Sequence, residues 1–324
     1  MREKIFSRSV KVPLFHAAGS AIRREYGGKR GLLMKKVKIP RGRLLGVHCS
    51  IAGGVANAPL AGAEIGCTAI QLFTGSNQQW RAKPILRADA ALFRENVEAG
   101  GIRVAFAHAM YLINLAAPDA EIFKKSVKAM AGELSRADVL GLPFVIVHPG
   151  APKERGAAWG MRRAAEAIGR VFDLVPDAKA KIALETTAGA GSSLGRTFGE
   201  IASIIDASDT PGRLLTCFDT CHAFAAGYDF RTGQGYEEMW RSFDGAIGIE
   251  NLAAIHLNDC LGDCASRLDR HTHIGKGRIG LEGFRLIMND RRLTGIPMVL
   301  ETPKGDSPHR EDSRNLNSLI KLIS

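Results

Sequence analysis

From residue 44 onward, short apolar, β-rich runs alternate with segments of helical spacing, and this alternation limits the fold more than any other feature. The runs cover residues 44–48, 69–74, 104–108, 144–148, 181–185, 214–219, 253–256 and 298–301. A helix-length segment follows each, with clear helical periodicity at 90–99, 121–140, 160–172 and 198–205. Runs this short and this apolar are strands buried on both faces, which is the mark of a parallel sheet covered by helices. Eight strand–helix units make an α/β chain of the (β/α)8 TIM-barrel class. An open doubly wound sheet is the competing architecture. The count of eight, and the lack of a glycine-rich dinucleotide loop after the first run, argue against it.

In such barrels the active site lies at the C-terminal ends of the strands. Here the first run ends in His48, the third in His108, the fourth in His148, the fifth in Glu185, the sixth in Asp219, the seventh in His256 and the eighth in Glu301. His222 follows Asp219 by three residues, and Asp269, His271 and His273 cluster after the seventh run. A single histidine at a strand end is more often a hydrogen-bonded structural residue than a ligand. Seven strands delivering imidazole or carboxylate to one face is a different matter, because such groups repel and desolvate one another unless a cation joins them. Imidazole and carboxylate without converging thiolates suit zinc or manganese. The donors exceed what one four-coordinate zinc takes, so a cluster of metals sharing carboxylates is expected, an arrangement suited to phosphoryl chemistry. Cys221, between Asp219 and His222, reads either as a thiolate ligand or, more simply, as a small buried residue. Cys49 follows His48 and by strand alternation faces the other way.

The net charge of +11 suggests nucleic acid until it is located. Residues 1–44 hold 13 Lys or Arg against Glu3 and Glu25, which accounts for the whole excess; the other 280 residues carry 31 basic and 31 acidic groups. Any field that attracts DNA to the body must therefore come from local patches or bound metal. Residues 1–43 are expected to be a basic extension ahead of a single barrel domain, 44–324. Its first 33 residues read as a DNA-binding arm, as an Arg-rich presequence, or as an upstream mis-start before Met34. No apolar run approaches the roughly 20 residues that cross a bilayer. Six cysteines without a C-x-x-C pair, and no secretory signal pattern, fit a reducing cytosol.

Long motifs add to this reading. They are Gly46-Val47-His48-Cys49-Ser50-Ile51-Ala52-Gly53-Gly54, Tyr111-Leu112-Ile113-Asn114-Leu115, Val147-His148-Pro149-Gly150 and Leu184-Glu185-Thr186-Thr187-Ala188-Gly189. Phe218-Asp219-Thr220-Cys221-His222-Ala223-Phe224-Ala225-Ala226-Gly227-Tyr228-Asp229, His256-Leu257-Asn258-Asp259, Asp269-Arg270-His271 and Leu300-Glu301-Thr302 follow. In this order, over residues 45 to about 304, the chain resembles the endonuclease IV family of apurinic/apyrimidinic endonucleases.

The resemblance implies three zinc ions, with manganese able to replace one. His108, His148 and Glu185 would hold the first. Glu185 would bridge to a second held by Asp219, His256 and Glu301, and His222, Asp269 and His271 would hold a third. Glu185 and Glu301 would thus carry the catalytic centre. It also implies the reaction: water activated between the first two ions attacks the phosphorus 5′ to an abasic sugar in double-stranded DNA, leaving a 3′-hydroxyl and a 5′-deoxyribose phosphate. Trimming of 3′ ends is a further activity of this kind. His48 and His273 match positions near the site, and Tyr111 matches a residue inserted into the duplex. Phe73 and Trp80 flank a second loop that the resemblance places at the DNA, Thr74-Gly75-Ser76-Asn77-Gln78-Gln79-Trp80, although either aromatic also reads as ordinary core. This loop departs from the family, since Gln78 stands where relatives commonly carry arginine and no basic residue appears before Arg81. The family resemblance implies a monomer working in the bacterial cytosol.

Two other functions remain to be weighed. A sugar isomerase or epimerase of the related xylose-isomerase-like barrels uses about four strand-end ligands and has no use for His222, Asp269 and His271. A non-catalytic DNA-binding protein would not need all nine ligand positions.

Overall fold

The computed structural model describes residues 35–324. The barrel strands are β1 (Leu45–Cys49), β2 (Ala69–Phe73), β3 (Val104–His108), β4 (Phe144–Val147), β5 (Lys181–Glu185), β6 (Leu214–Asp219), β7 (Leu252–His256) and β10 (Met298–Leu300). All pair in parallel, and β10 closes the ring between β7 and β1. The two remaining strands, β8 (Asp259–Cys260) and β9 (His271–Thr272), form a short antiparallel ladder above the barrel. The helices are α1 (Asn57–Ile65), α2 (Arg87–Ala99), α3 (Ala120–Leu140), α4 (Ala157–Leu174), α5 (Phe198–Asp206), α6 (Thr220–Ala226), α7 (Gly233–Ala246), α8 (Gly280–Asn289) and α9 (Pro308–Ile320). The expected closed (β/α)8 barrel is the observed one.

Strand alternation divides the core in two. Outward residues such as Val47, Ile70, Ala107, Val145, Leu184, Phe218, Ile255 and Leu300 join the layer beneath the helices. Inward residues, among them Leu44, Ala69, Phe106, Ile146, Ala183, Cys217, Ala254 and Val299, fill the barrel interior. Two residues beyond all of these but Leu44, at the next inward position, stand Gln71, His108, His148, Glu185, Asp219, His256 and Glu301. The period of two that packs the barrel therefore also stacks these groups on its upper layer. Cys49 faces α1, as expected: a Cβ on Gly62 of that helix would lie 3.5 Å from its sulfur.

Gly46 is where β1 and β2 close on each other. A Cβ there would lie 1.6 Å from the Ala69 carbonyl oxygen, so no larger residue fits.

The expectations for residues 1–33 fall outside the described residues. Of the rest of the expected extension, Val37 is buried and donates its N–H to the Ile65 carbonyl at 2.8 Å, which ties this segment to the end of α1. Among the described residues, no helix is long and apolar enough to cross a membrane.

Candidate metal centre

Glu185, at the end of β5, is fully buried and is the hub of the site. Its Oε2 lies 3.0 Å from His108 Nε2 and 3.1 Å from His148 Nε2. Its Oε1 lies 2.8 Å from His256 Nδ1 and 3.4 Å from His222 Nδ1. His256 Nδ1 is also 3.2 Å from Glu301 Oε2 and 3.7 Å from Asp219 Oδ2.

Local structure fixes which atom each residue presents. His108 Nδ1 donates to the Ala109 carbonyl at 2.7 Å, which leaves Nε2 to face Glu185. Asp219 ends β6 and also caps α6, with Oδ1 accepting the His222 N–H at 2.8 Å. That cap sets His222 one helical turn above the strand end, which is why the two residues are spaced by three. His222 Nδ1 donates to the Thr186 carbonyl at 2.8 Å, and its Nε2 lies 3.2 Å from Asp269 Oδ2. Asp219 Oδ2 accepts from Asn258 Nδ2 at 2.7 Å. The β8–β9 ladder brings in His271, whose Nε2 lies 3.6 Å from Asp219 Oδ2 and 3.5 Å from Asp269 Oδ1.

The charges are strongly coupled. Burial alone would raise the Glu185 carboxyl, but the His256 and His148 charges and the bonds from His108 and His148 outweigh it and hold the group well below the usual range. Burial opposes protonation of His222, yet the Asp219 charge and the contacts with Asp269 and Glu185 push it well above the usual imidazole value. His256 is pushed up in the same way, against burial, by Cys217, Glu301 and Glu185. Asp269, also against burial, is drawn down to about 2 by the His222 bond and the imidazoles around it. Burial lowers His48.

Does this donor set fit metal ions? Among the groups of potential ligand atoms that lie within 4.8 Å of one another are His108–His148–Glu185, Glu185–Asp219–His256–Glu301, and Asp219–His222–His271, and the buried Cys217 thiol stands equally close to Glu185 and His256. Glu185 is shared by the first two and Asp219 by the last two. Asp269 groups with His271 and Cys221 as well as touching His222. His271 Nε2 is buried with no hydrogen-bond partner, although carboxylate oxygens of both Asp219 and Asp269 stand close by. Buried carboxylates and imidazoles that share members in this way have the composition of a polynuclear divalent centre, so the set fits. Cys221 is fully buried and its thiol is pushed up, first by the bond with Cys260 and then by burial, as suits a small core residue.

The groups expected to touch DNA are less uniform. Tyr111 is 66% exposed at the mouth, its ring 5.4 Å from Phe73 and 6.1 Å from His108. Gln78 is exposed on the loop after β2. His48 lies inside the site beside Glu301, its ring 4.4 Å from that of Phe73. His273 stands apart from the donor groups, tied to Asn315 at 3.0 Å. Trp80 packs partly against the core. A cavity of about 220 Å³ opens between Tyr111, Asn114, His148 and Ser193.

Two functional positions escaped the sequence reading, Gln71 and Asn258. Both are neutral amides, so a search for ligand-type side chains passes over them. The signal that could have found Gln71 is its place: it is the inward residue near the end of β2, the one strand whose end carries no imidazole or carboxylate.

Residues 60–320 match the family model described as a xylose isomerase-like TIM barrel. A probable endonuclease 4 from Geobacter sulfurreducens is 50% identical over 279 residues, covering 86% of this chain and 94% of the relative. The chain belongs to the endonuclease IV family. Another family relative, a probable endonuclease 4 from Geotalea daltonii, is 44% identical over 86% of this chain and 98% of its own. The crystal structure of endonuclease IV from Thermus thermophilus superposes with a TM-score of 0.77 at 37% identity, covering 86% of this chain and 98% of that one. A D-tagatose 3-epimerase-like protein, at 18% identity and a TM-score of 0.64, shares the fold alone. As an endonuclease IV family member the chain is a hydrolase of the nuclease type, an AP endonuclease.

Proposed function

We propose that the chain is a zinc-dependent endonuclease of base-excision repair that hydrolyses the phosphodiester 5′ to an abasic site in double-stranded DNA, giving 3′-hydroxyl and 5′-deoxyribose phosphate ends. The observation that carries this reading is the buried Glu185 carboxylate shared by His108, His148, His222 and His256. In this reading His108, His148 and Glu185 hold one metal, Glu185, Asp219, His256 and Glu301 a second, and His222, Asp269 and His271 a third. When bound, zinc supplies a lowered water pKa near neutrality and Lewis-acid stabilisation of phosphate charge.

The chain's own residues do the rest. Glu185, Asp219, Asp269 and Glu301 give the mouth four formal negative charges, which would repel a phosphate; three divalent cations turn that into a net +2 and make the site attractive to one. Asn258 holds Asp219 in place and also accepts the Glu301 N–H at 2.8 Å, coupling the ends of β7 and β10. Tyr111 stands exposed where it can enter a helix at the missing base. The cavity beside it suits an extruded sugar, and extrusion costs least where stacking is already lost. His48, beside Glu301, the exposed Gln78 and His273, apart from the donor groups, are the further side chains assigned to DNA contact in this reading. The six cysteines are free thiols, which suits a reducing cytosol, and the chain acts there as a monomer.

Elemental analysis of protein never exposed to chelator, together with a nicking assay on an abasic duplex, tests the reading. Close to three metals per chain, mostly zinc, and one nick per abasic site are expected. One metal or fewer, with no nicking, would sink it and favour a sugar epimerase.

A further inference from the structure

Gln71 is the inward side chain near the end of β2 and is completely buried. Its Nε2 lies 2.5 Å from Glu301 Oε1 and 2.8 Å from His48 Nδ1, and its Oε1 lies 2.7 Å from His256 Nε2. One amide therefore meets three groups of the site, coming from β1, β7 and the end of β10.

The chemistry of these partners fixes the amide. A carboxylate only accepts, so the Gln71 NH2 must face Glu301; the reversed amide would set two oxygens against each other at that distance. With the carbonyl oxygen facing His256, its Nε2 must carry a proton and donate it. A metal-binding imidazole is neutral and carries one proton, so with Nε2 protonated His256 as a ligand would offer the Nδ1 lone pair. That lone pair points among Glu185 Oε1, Glu301 Oε2 and Asp219 Oδ2, the place where a metal would need a donor. The second Gln71 N–H meets His48 Nδ1, which puts the proton of His48 on Nε2. This Nε2 is buried without a hydrogen-bond partner. It is therefore a donor held ready inside the site.

We propose that Gln71 is a positioning residue: it fixes the tautomers of His256 and His48 and steadies Glu301, so that the second metal position receives the correct atoms from His256 and Glu301 while His48 keeps its proton on Nε2. The inference rests on the metal reading given above. It also explains why β2 carries an amide where seven other strands carry imidazole or carboxylate. A ligand at this point would add another donor, whereas the amide satisfies one donor and two acceptors at once. Outer partners of this kind orient metal-binding imidazoles and typically contribute 10- to 100-fold to metal affinity.

The test uses the full chain loaded with zinc. With histidine labelled by 15N, long-range proton–nitrogen spectra of the wild type should show His256 with its proton on Nε2 and its metal on Nδ1, and His48 protonated at Nε2. Gln71→Met keeps the length and removes the amide; it should lower zinc affinity at one position by about 10- to 100-fold in chelator competition, leave the other positions filled, and blur the His256 tautomer. Gln71→Glu keeps the shape and the acceptor facing His256, shares a proton with Glu301 and offers His48 no N–H. It should keep the His256 proton on Nε2 and move the His48 proton to Nδ1, so the proposal stays testable even if Gln71→Met does not fold. Wild-type protein with metal on His256 Nε2, Gln71→Met with wild-type zinc affinity and an unchanged His256 tautomer, or Gln71→Glu with the His48 proton still on Nε2 would overturn it. A wild type that takes up no zinc would instead overturn the metal reading beneath it.

Discussion

Nδ1 of His256 stands 2.8 Å from Oε1 of Glu185, and both side chains are closed off from solvent. The other oxygen of the same carboxylate meets His108 and His148. One carboxylate thus ties β3, β5 and β7 to the residue that follows β4. If it joins two metals, its charge matters more than its shape. Glu185→Gln keeps the shape and removes the charge. Nicking of an abasic duplex is expected to fall on the order of 10³-fold or more, with the far-ultraviolet circular dichroism of the wild type retained. Near-normal nicking in this variant would refute the role given to Glu185.

Metal removal is expected to lower the melting temperature. Only the folded barrel gathers donors from β3 to β10, so a bound ion stabilises that state alone. At a thousandfold excess over its dissociation constant, one ion contributes about 4 kcal/mol, and in a domain of this size each kcal/mol moves the midpoint by roughly 2–4 °C. Stripping with a chelator and removing the chelator should therefore lower the midpoint by about 10 °C or more, and zinc should restore it. An unchanged midpoint would mean that the donor cluster holds no tightly bound ion.

Acid should weaken the barrel at a point away from the site. Asp290 accepts from Tyr236 at 2.8 Å and from the Arg292 guanidinium at 2.9 and 3.0 Å, linking α7 to the segment after α8. Burial would raise this carboxyl, but the Arg292 bonds and the Tyr236 hydroxyl hold it below the ordinary aspartate value. A depressed folded-state value gives stability that is fully present above the unfolded pKa of about 3.9 and is lost as pH falls through the folded one. Asp290→Asn should thus lower the melting temperature at pH 7 and reduce the further loss between pH 5 and pH 3. Parallel pH profiles for the two proteins would exclude this linkage.

How far the sequence discloses all this depends on the residue. The barrel is legible because each strand is apolar on both faces, and the ligand positions are legible because alternation carries His108, Glu185 and Asp219 onto the inward row above the interior core. His271 is a harder case. It reaches the site on a two-residue strand paired with Asp259–Cys260, and Asp259 in turn gathers the N–H groups of Gly275, Gly277 and Ile279. No local periodicity announces a ladder that short. Gln71 and Asn258 are invisible for a chemical reason: they bind no metal themselves, and their work shows only when the atoms they face are known.

The loop after β2 gives the last prediction. Its base is fixed: Thr74 is buried, its hydroxyl bonded to the Glu133 carboxylate, and Arg136 Nε donates to Thr74 at 2.8 Å. Its tip is not fixed in this way. Gln78 is exposed, and its backbone N–H reaches only Ser76 Oγ, at 3.4 Å. A glutamine there brings no charge to a phosphate-rich groove, whereas an arginine would pair with phosphate and stack on exposed bases. The change touches none of the nine ligand positions. Gln78→Arg should therefore tighten binding to abasic duplex DNA, with the larger gain at low salt, because each added phosphate contact steepens the salt dependence by roughly 0.9 in log–log slope. The single-turnover rate at saturating enzyme should stay near that of the wild type. Binding titrations at two salt concentrations decide the matter. Equal affinities for both proteins at both salts would show that the loop tip faces away from DNA, and that Tyr111 and the metal centre carry the recognition.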